Sequence, residues 1–135
     1  MKKLYVFSSL LIICSFVLSA CGSAKYSTKL KVTLAEFSYT PKEFSIPAGK
    51  DITLAITNTG AIEHEFVIMK KGTAVTPPFD ADDEPNVFWE VEVTPGKSES
   101  VTFTSPPDAG EYQVVCGTPG HFEAGMTGKL MVLAP

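Results

Sequence analysis

The chain contains no arginine and only two histidines among 135 residues, and its eleven lysines are outnumbered by fifteen acidic side chains. The net charge is −4, so the basic footprint of a nucleic-acid-binding protein is missing. Charged residues make up 19% and hydrophobic residues 44%, which excludes a disordered chain. Only three cysteines occur, at positions 14, 21 and 116. No internal repeat is visible, and no stretch carries a helical apolar period. After allowance for a targeting segment, the length leaves room for one domain with one core.

The single long apolar run lies at the start. Met1-Lys2-Lys3 supplies a positive region and Leu4 to Leu18 an apolar one, too short for a membrane span. Leu18-Ser19-Ala20-Cys21 resembles a bacterial lipobox, which implies a lipoprotein signal peptide over 1–20 and a diacylated Cys21 as the mature N-terminus. Two acyl chains give stable anchoring. Residues 21–28 then read as a short lipid-anchored tether, and the expected location is extracytoplasmic, on a bacterial membrane. Processing removes two lysines and no acid, so the mature chain is more acidic. With Cys14 removed and Cys21 lipidated, Cys116 is the only thiol left to the folded domain. No disulfide is then available to it, although the compartment would permit one. A lone thiol outside the cytoplasm is open to oxidation, and a bound metal would explain its survival.

Residues 29–135 read as all-β. Alternating apolar runs fall at 30–37, 44–46, 52–57, 65–69, 87–93, 99–103, 111–116 and 129–133, separated by Pro and Gly turns. About eight strands at this spacing predict a β-sandwich or barrel. Tyr112, two residues after Gly110, suits a tyrosine corner. Within 70–88, Asp80, Asp82, Asp83 and Glu84 form an acidic loop that lacks the ligand spacing of a calcium site. Phe88 and Trp89 read as core or rim aromatics.

The last quarter carries the chemistry. Cys116, His121 and Met126 stand at even five-residue intervals, and the only other histidine is His64. Soft sulfur donors with imidazole suit copper, and two His, one Cys and a distant Met describe a blue-copper electron-transfer centre. Zinc is disfavoured, because a thioether is a poor zinc ligand and a second Cys or third His is missing. Strand alternation places Tyr112, Val114 and Cys116 on one face, and His64 on a face with Phe66 and Ile68. Both donors therefore end core-facing rows, while Met69 and Met131 fall on the opposite parity and read as packing.

From about Leu34 to Leu133 the chain resembles the cupredoxins. The matching pieces include Ile46-Pro47-Ala48-Gly49-Lys50, Asn58-Thr59-Gly60, His64-Glu65-Phe66, Gly110 to Cys116 and Gly128 to Val132. The spacing from Cys to His to Met is similar to that of rusticyanins and auracyanins. The resemblance implies a Greek-key β-sandwich and one type-1 copper per chain. His64, Cys116 and His121 would form the trigonal plane and Met126 the weak axial ligand. It further implies N–H donation to the Cys116 sulfur from Glu65 and Thr118, and a monomeric domain. The His121 edge would face solvent within a rim of Ala61, Ile62, Pro119 and Phe122. Glu65 departs from better-known members, which often carry Asn or Ser there to tie the ligand loops together.

These readings imply an electron carrier with no enzymatic activity, since no histidines remain for a second copper site. It would work by transient contact with a cytochrome, a quinol-oxidising complex or a terminal oxidase. The alternative is a copper-binding lipoprotein for copper tolerance or delivery to an oxidase. The absence of a Met cluster weighs against that alternative.

Overall fold

Period-two alternation sorts the strands into a buried and a wet face, and two sheets close over the buried rows. The computed structural model describes residues 26–134. The signal segment, Cys14 and Cys21 lie outside the described residues. The described residues form nine strands: β1 (Lys29–Ala35), β2 (Ser38–Thr40), β3 (Glu43–Pro47), β4 (Asp51–Asn58), β5 (His64–Met69), β6 (Val87–Val93), β7 (Ser98–Thr104), β8 (Gly110–Val115) and β9 (Thr127–Leu133). One sheet runs β2-β1-β4-β7 and the other β3-β9-β8-β5-β6. β1 pairs with β4 and β3 with β9 in parallel; the remaining pairings are antiparallel. Among the described residues, no helix is long and apolar enough to cross a membrane.

The strand count exceeds the sequence expectation by one. The predicted run 30–37 breaks after Ala35, and a three-residue strand, β2, folds back on β1. Phe37 sits in that turn at φ 60°, a left-handed conformation that costs a non-glycine residue about 1–2 kcal/mol. No Gly marks the turn, so alternation alone ran through it.

Between the sheets lies the main core. β4 contributes Ile52, Leu54 and Ile56, β1 contributes Val32 and Leu34, and Tyr112, Val114 and Leu130 face them from the other sheet. Trp89 of β6 stacks on Phe103 of β7 at 4.3 Å, an aromatic contact that joins the sheets. The Tyr112 hydroxyl donates to the Asp108 carbonyl at 2.7 Å, the contact a tyrosine corner requires. A second cluster of Val67, Met69, Val75, Val115 and Phe122 covers the outer face of β5 and β8. Gln113 clips the 70–86 loop over it, exchanging hydrogen bonds with the Val75 backbone at 2.9 and 3.1 Å.

Candidate metal centre

Antiparallel register brings the donors together. β5 and β8 are neighbours, with Val67 opposite Val115 and Ile68 opposite Val114. The start of β5 therefore meets the end of β8, and His64 and Cys116 emerge at the same end of the sandwich. Cys116 stands one residue past β8, and the turn from 118 to 125 returns the chain to β9 with His121 and Met126.

Three donor atoms converge. His64 Nδ1 lies 3.0 Å from His121 Nδ1, and His121 Nδ1 lies 3.4 Å from Cys116 Sγ. One donor atom from each of His64, Cys116 and His121 falls within 4.8 Å of the others, and all three residues are buried. Met126 is fully buried in the same core cluster as Cys116. Backbone hydrogen bonds stitch this segment together: Cys116 N–H donates to Met126 O at 3.2 Å, and Met126 N–H to His121 O at 2.9 Å. Met69 lies in the outer cluster and Met131 on β9, in keeping with packing roles.

The loops around the donors are tied from several sides. Glu65 N–H donates to Cys116 Sγ at 3.4 Å, as the resemblance implied. Thr118 acts differently: its hydroxyl donates to the Glu63 carbonyl at 3.1 Å, linking the two donor-bearing segments. Asn58 is fully buried, and its amide donates to Ile62 O and Val93 O, both at 2.8 Å, while its Oδ1 accepts from Gly60 N–H. It fastens the loop leading into His64. Tyr39 completes the support, its hydroxyl donating to Glu65 O at 2.7 Å. Burial, followed by the nearby Cys116, holds the Tyr39 phenol well above its ordinary pKa, so it stays a donor.

Solvent access differs from the expectation. His121 is only 2% exposed, because Phe37 packs edge-on against its ring at 5.3 Å. Phe122 turns into the outer cluster, so the apolar surface at this end comes from Phe37 and Ile62, exposed by 48% and 47%. Ala61 and Pro119 remain exposed beside them. Phe37, Tyr39, Asn58 and Glu36 are the residues whose place around the donors strand alternation did not mark. Asn58-Thr59-Gly60 reads as a turn in sequence, and the Asn side chain capping it was the available signal.

Electrostatically the site is lopsided. Glu63, Glu65, Glu84, Glu90 and Glu92 cluster on the β5–β6 side. Burial, then repulsion from Glu90, Glu92, Glu84 and Glu63, raises the Glu65 pKa to about 6. Burial and the His121 ring lower the His64 pKa, with Glu36 pulling the other way. A depressed imidazole pKa keeps the ring neutral and its lone pair free for a metal.

The donor chemistry fits copper. A single cysteine sulfur, two imidazoles and a buried thioether match a type-1 set, and the core cluster that holds Cys116 and Met126 is otherwise apolar. Comparison with known proteins agrees. Residues 8–132 match the Cupredoxin-like domain family. The chain is 43% identical over 91 residues to rusticyanin of Acidithiobacillus ferrooxidans, covering 64% of this chain and 48% of that protein. It thus spans about half the length of that relative. The copper-resistant cuproprotein CopI of Rubrivivax gelatinosus is 29% identical over 115 residues, covering 82% of this chain and 69% of CopI. The structure of dithionite-reduced auracyanin from Roseiflexus castenholzii aligns with a TM-score of 0.67 at 32% identity, covering 81% of this chain and 99% of that one. The chain therefore belongs to the cupredoxins, and its cofactor is a single type-1 copper.

Proposed function

We propose that this protein is a one-electron carrier, anchored outside the cytoplasm by a lipid on Cys21, in which His64, Cys116, His121 and Met126 would hold the copper. The observation that carries the reading is the convergence of three buried donor atoms from His64, Cys116 and His121 at one end of a rigid sandwich. Bound copper supplies a Cu(II)/Cu(I) couple at this point.

The chain's own residues supply the rest. The Cys116 thiolate donates charge, and Glu65 N–H draws part of it back. The backbone bonds joining Cys116, Met126 and His121 keep the donors in place when an electron arrives or leaves. Little rearrangement means a low barrier to transfer. Phe37 and Ile62 form an apolar port over His121, suited to a small transient interface with a cytochrome, a quinol-oxidising complex or a terminal oxidase. The function is transfer of electrons, with no bond made or broken in a substrate.

The test is an optical and electron-paramagnetic-resonance titration of residues 22–135 with Cu(II). A carrier gives an intense thiolate-to-copper band that bleaches reversibly on reduction and disappears in Cys116→Ser. The likeness to CopI favours a second reading, copper binding for tolerance or delivery. Colourless binding, or Cu(I) held without a reversible couple, would select that reading. Anchoring is checked separately: Cys21→Ala should leave the protein unlabelled by radioactive fatty acid and free in the soluble fraction.

A further inference from the structure

We propose that Glu36 is a positioning residue for His64, accepting a hydrogen bond from its Nε2–H when Nδ1 is engaged by copper. The inference rests on His64 being a ligand, as proposed above.

Among the described buried side-chain polar atoms, only His64 Nε2 has no hydrogen-bond partner. In the metal-free arrangement the two Nδ1 atoms can share a proton across their 3.0 Å contact. Once Nδ1 of His64 gives its lone pair to a metal, the ring proton must sit on Nε2. A buried N–H without an acceptor loses its hydration with nothing to replace it. That cost would oppose binding unless an acceptor stands close by.

Glu36 is that acceptor. Its Oε1 and His64 Nε2 each lie 2.6 Å from one point, the position a Cβ on Gly60 would occupy. The two atoms are therefore separated by no more than twice that distance. Glu36 is already anchored, its carboxylate accepting from Ala61 N–H. Backbone geometry explains its placement. The left-handed Phe37 turns the chain sharply after β1, which directs Glu36 toward His64 while Phe37 itself covers His121. Adjacent residues of one turn thus serve both imidazoles.

A carboxylate behind a metal-bound imidazole sets the tautomer and ring orientation and raises ligand basicity, and losing one typically costs 10–100-fold in metal affinity. Three measurements on the copper protein test the assignment. In the Cu(I) form, nitrogen-edited NMR should show a slowly exchanging His64 Nε2–H that vanishes in Glu36→Ala and persists in Glu36→Gln, whose amide oxygen still accepts. Chelator competition should give Glu36→Ala a Cu(II) affinity lower by about tenfold or more, largely restored in Glu36→Gln. Voltammetry should show a higher reduction potential in both variants, because both remove a negative charge beside the site. Unchanged Nε2–H protection and affinity in Glu36→Ala would overturn the proposal. Equal loss of metal-free stability in both variants, with the imidazole signal intact, would also overturn it, reducing Glu36 to a cap on Ala61. Failure of the wild-type protein to form the thiolate-to-copper band would instead defeat the ligand assignment on which the proposal rests.

Discussion

The amide of Glu65 donates to the sulfur of Cys116 at 3.4 Å, so the residue that follows one donor restrains another. The Glu65 side chain extends over the same segment, where a Cβ on Gly117 would collide with its Oε2. One residue therefore contributes an N–H that offsets charge on the sulfur and a carboxylate that adds negative charge nearby.

Neutralising that carboxylate should raise the reduction potential, because a negative charge beside the site favours the more positive Cu(II). Glu65→Gln keeps the amide donor and the side-chain shape, which isolates the charge. Voltammetry above the Glu65 pKa of about 6 is the measurement. An unchanged or lower potential would count against this role.

The same group makes metal-free stability depend on pH. Its folded pKa is raised from 4.5 to about 6, so the native state binds this proton more tightly than the unfolded chain does. The contribution to stability is fully present below 4.5 and is lost as pH rises through about 6. Glu65 is only partly buried, so after solvent screening the effect is on the order of 1 kcal/mol. Glu90, raised by burial and by Glu84 and Glu92, adds in the same direction. Urea unfolding at pH ~4.5 and ~7.5 should show the loss, and Glu65→Gln should shrink the difference between the two.

Tyr39→Phe removes the hydroxyl that donates to Glu65 O at 2.7 Å, in a side chain only 2% exposed. The expected cost is about 1–2 kcal/mol, seen as a lower denaturant midpoint with an unchanged m-value. Because Glu65 N–H also reaches Cys116, the thiolate-to-copper band should shift or broaden as well. A stability loss without any spectral change would mean that Tyr39 supports only the core.

Asn58→Ala should be more damaging. It deletes three hydrogen bonds at a fully buried position and leaves the carbonyls of Ile62 and Val93 without that partner. A loss of about 3 kcal/mol or more is expected in chemical denaturation, together with faster hydrogen exchange at Gly60 and Ala61. A loss under 1 kcal/mol would show that water replaces the amide at low cost.

Much of this protein was legible before folding. Alternation in 65–69 and 111–116 predicted strands whose core-facing rows end at His64 and Cys116, and Phe66, Ile68, Tyr112 and Val114 of those rows are buried. The even spacing of Cys116, His121 and Met126, with the single upstream His64, pointed to copper because so few alternatives exist in the chain. Strands with a strict period of two and donors within one short loop are local features, and local features survive in sequence. The exception within that set is the solvent face of His121, since nothing in 118–125 announces that Phe37 covers it.

What only the tertiary structure decided is the surroundings of the site. Phe37 reaches His121, and Glu36 reaches the Ala61 N–H, through a left-handed turn that carries no glycine signal, and Tyr39 reaches Glu65 across the two sheets. Asn58 becomes a clamp only because parallel pairing sets it opposite Leu34, where the loop before His64 passes over it. These contacts join residues 25 or more positions apart in three of the four cases, and a pairing at that distance depends on sheet order and strand register. The donor types follow from side-chain chemistry, which the sequence states outright; the shell that orients, covers and charges them follows from packing, which it does not.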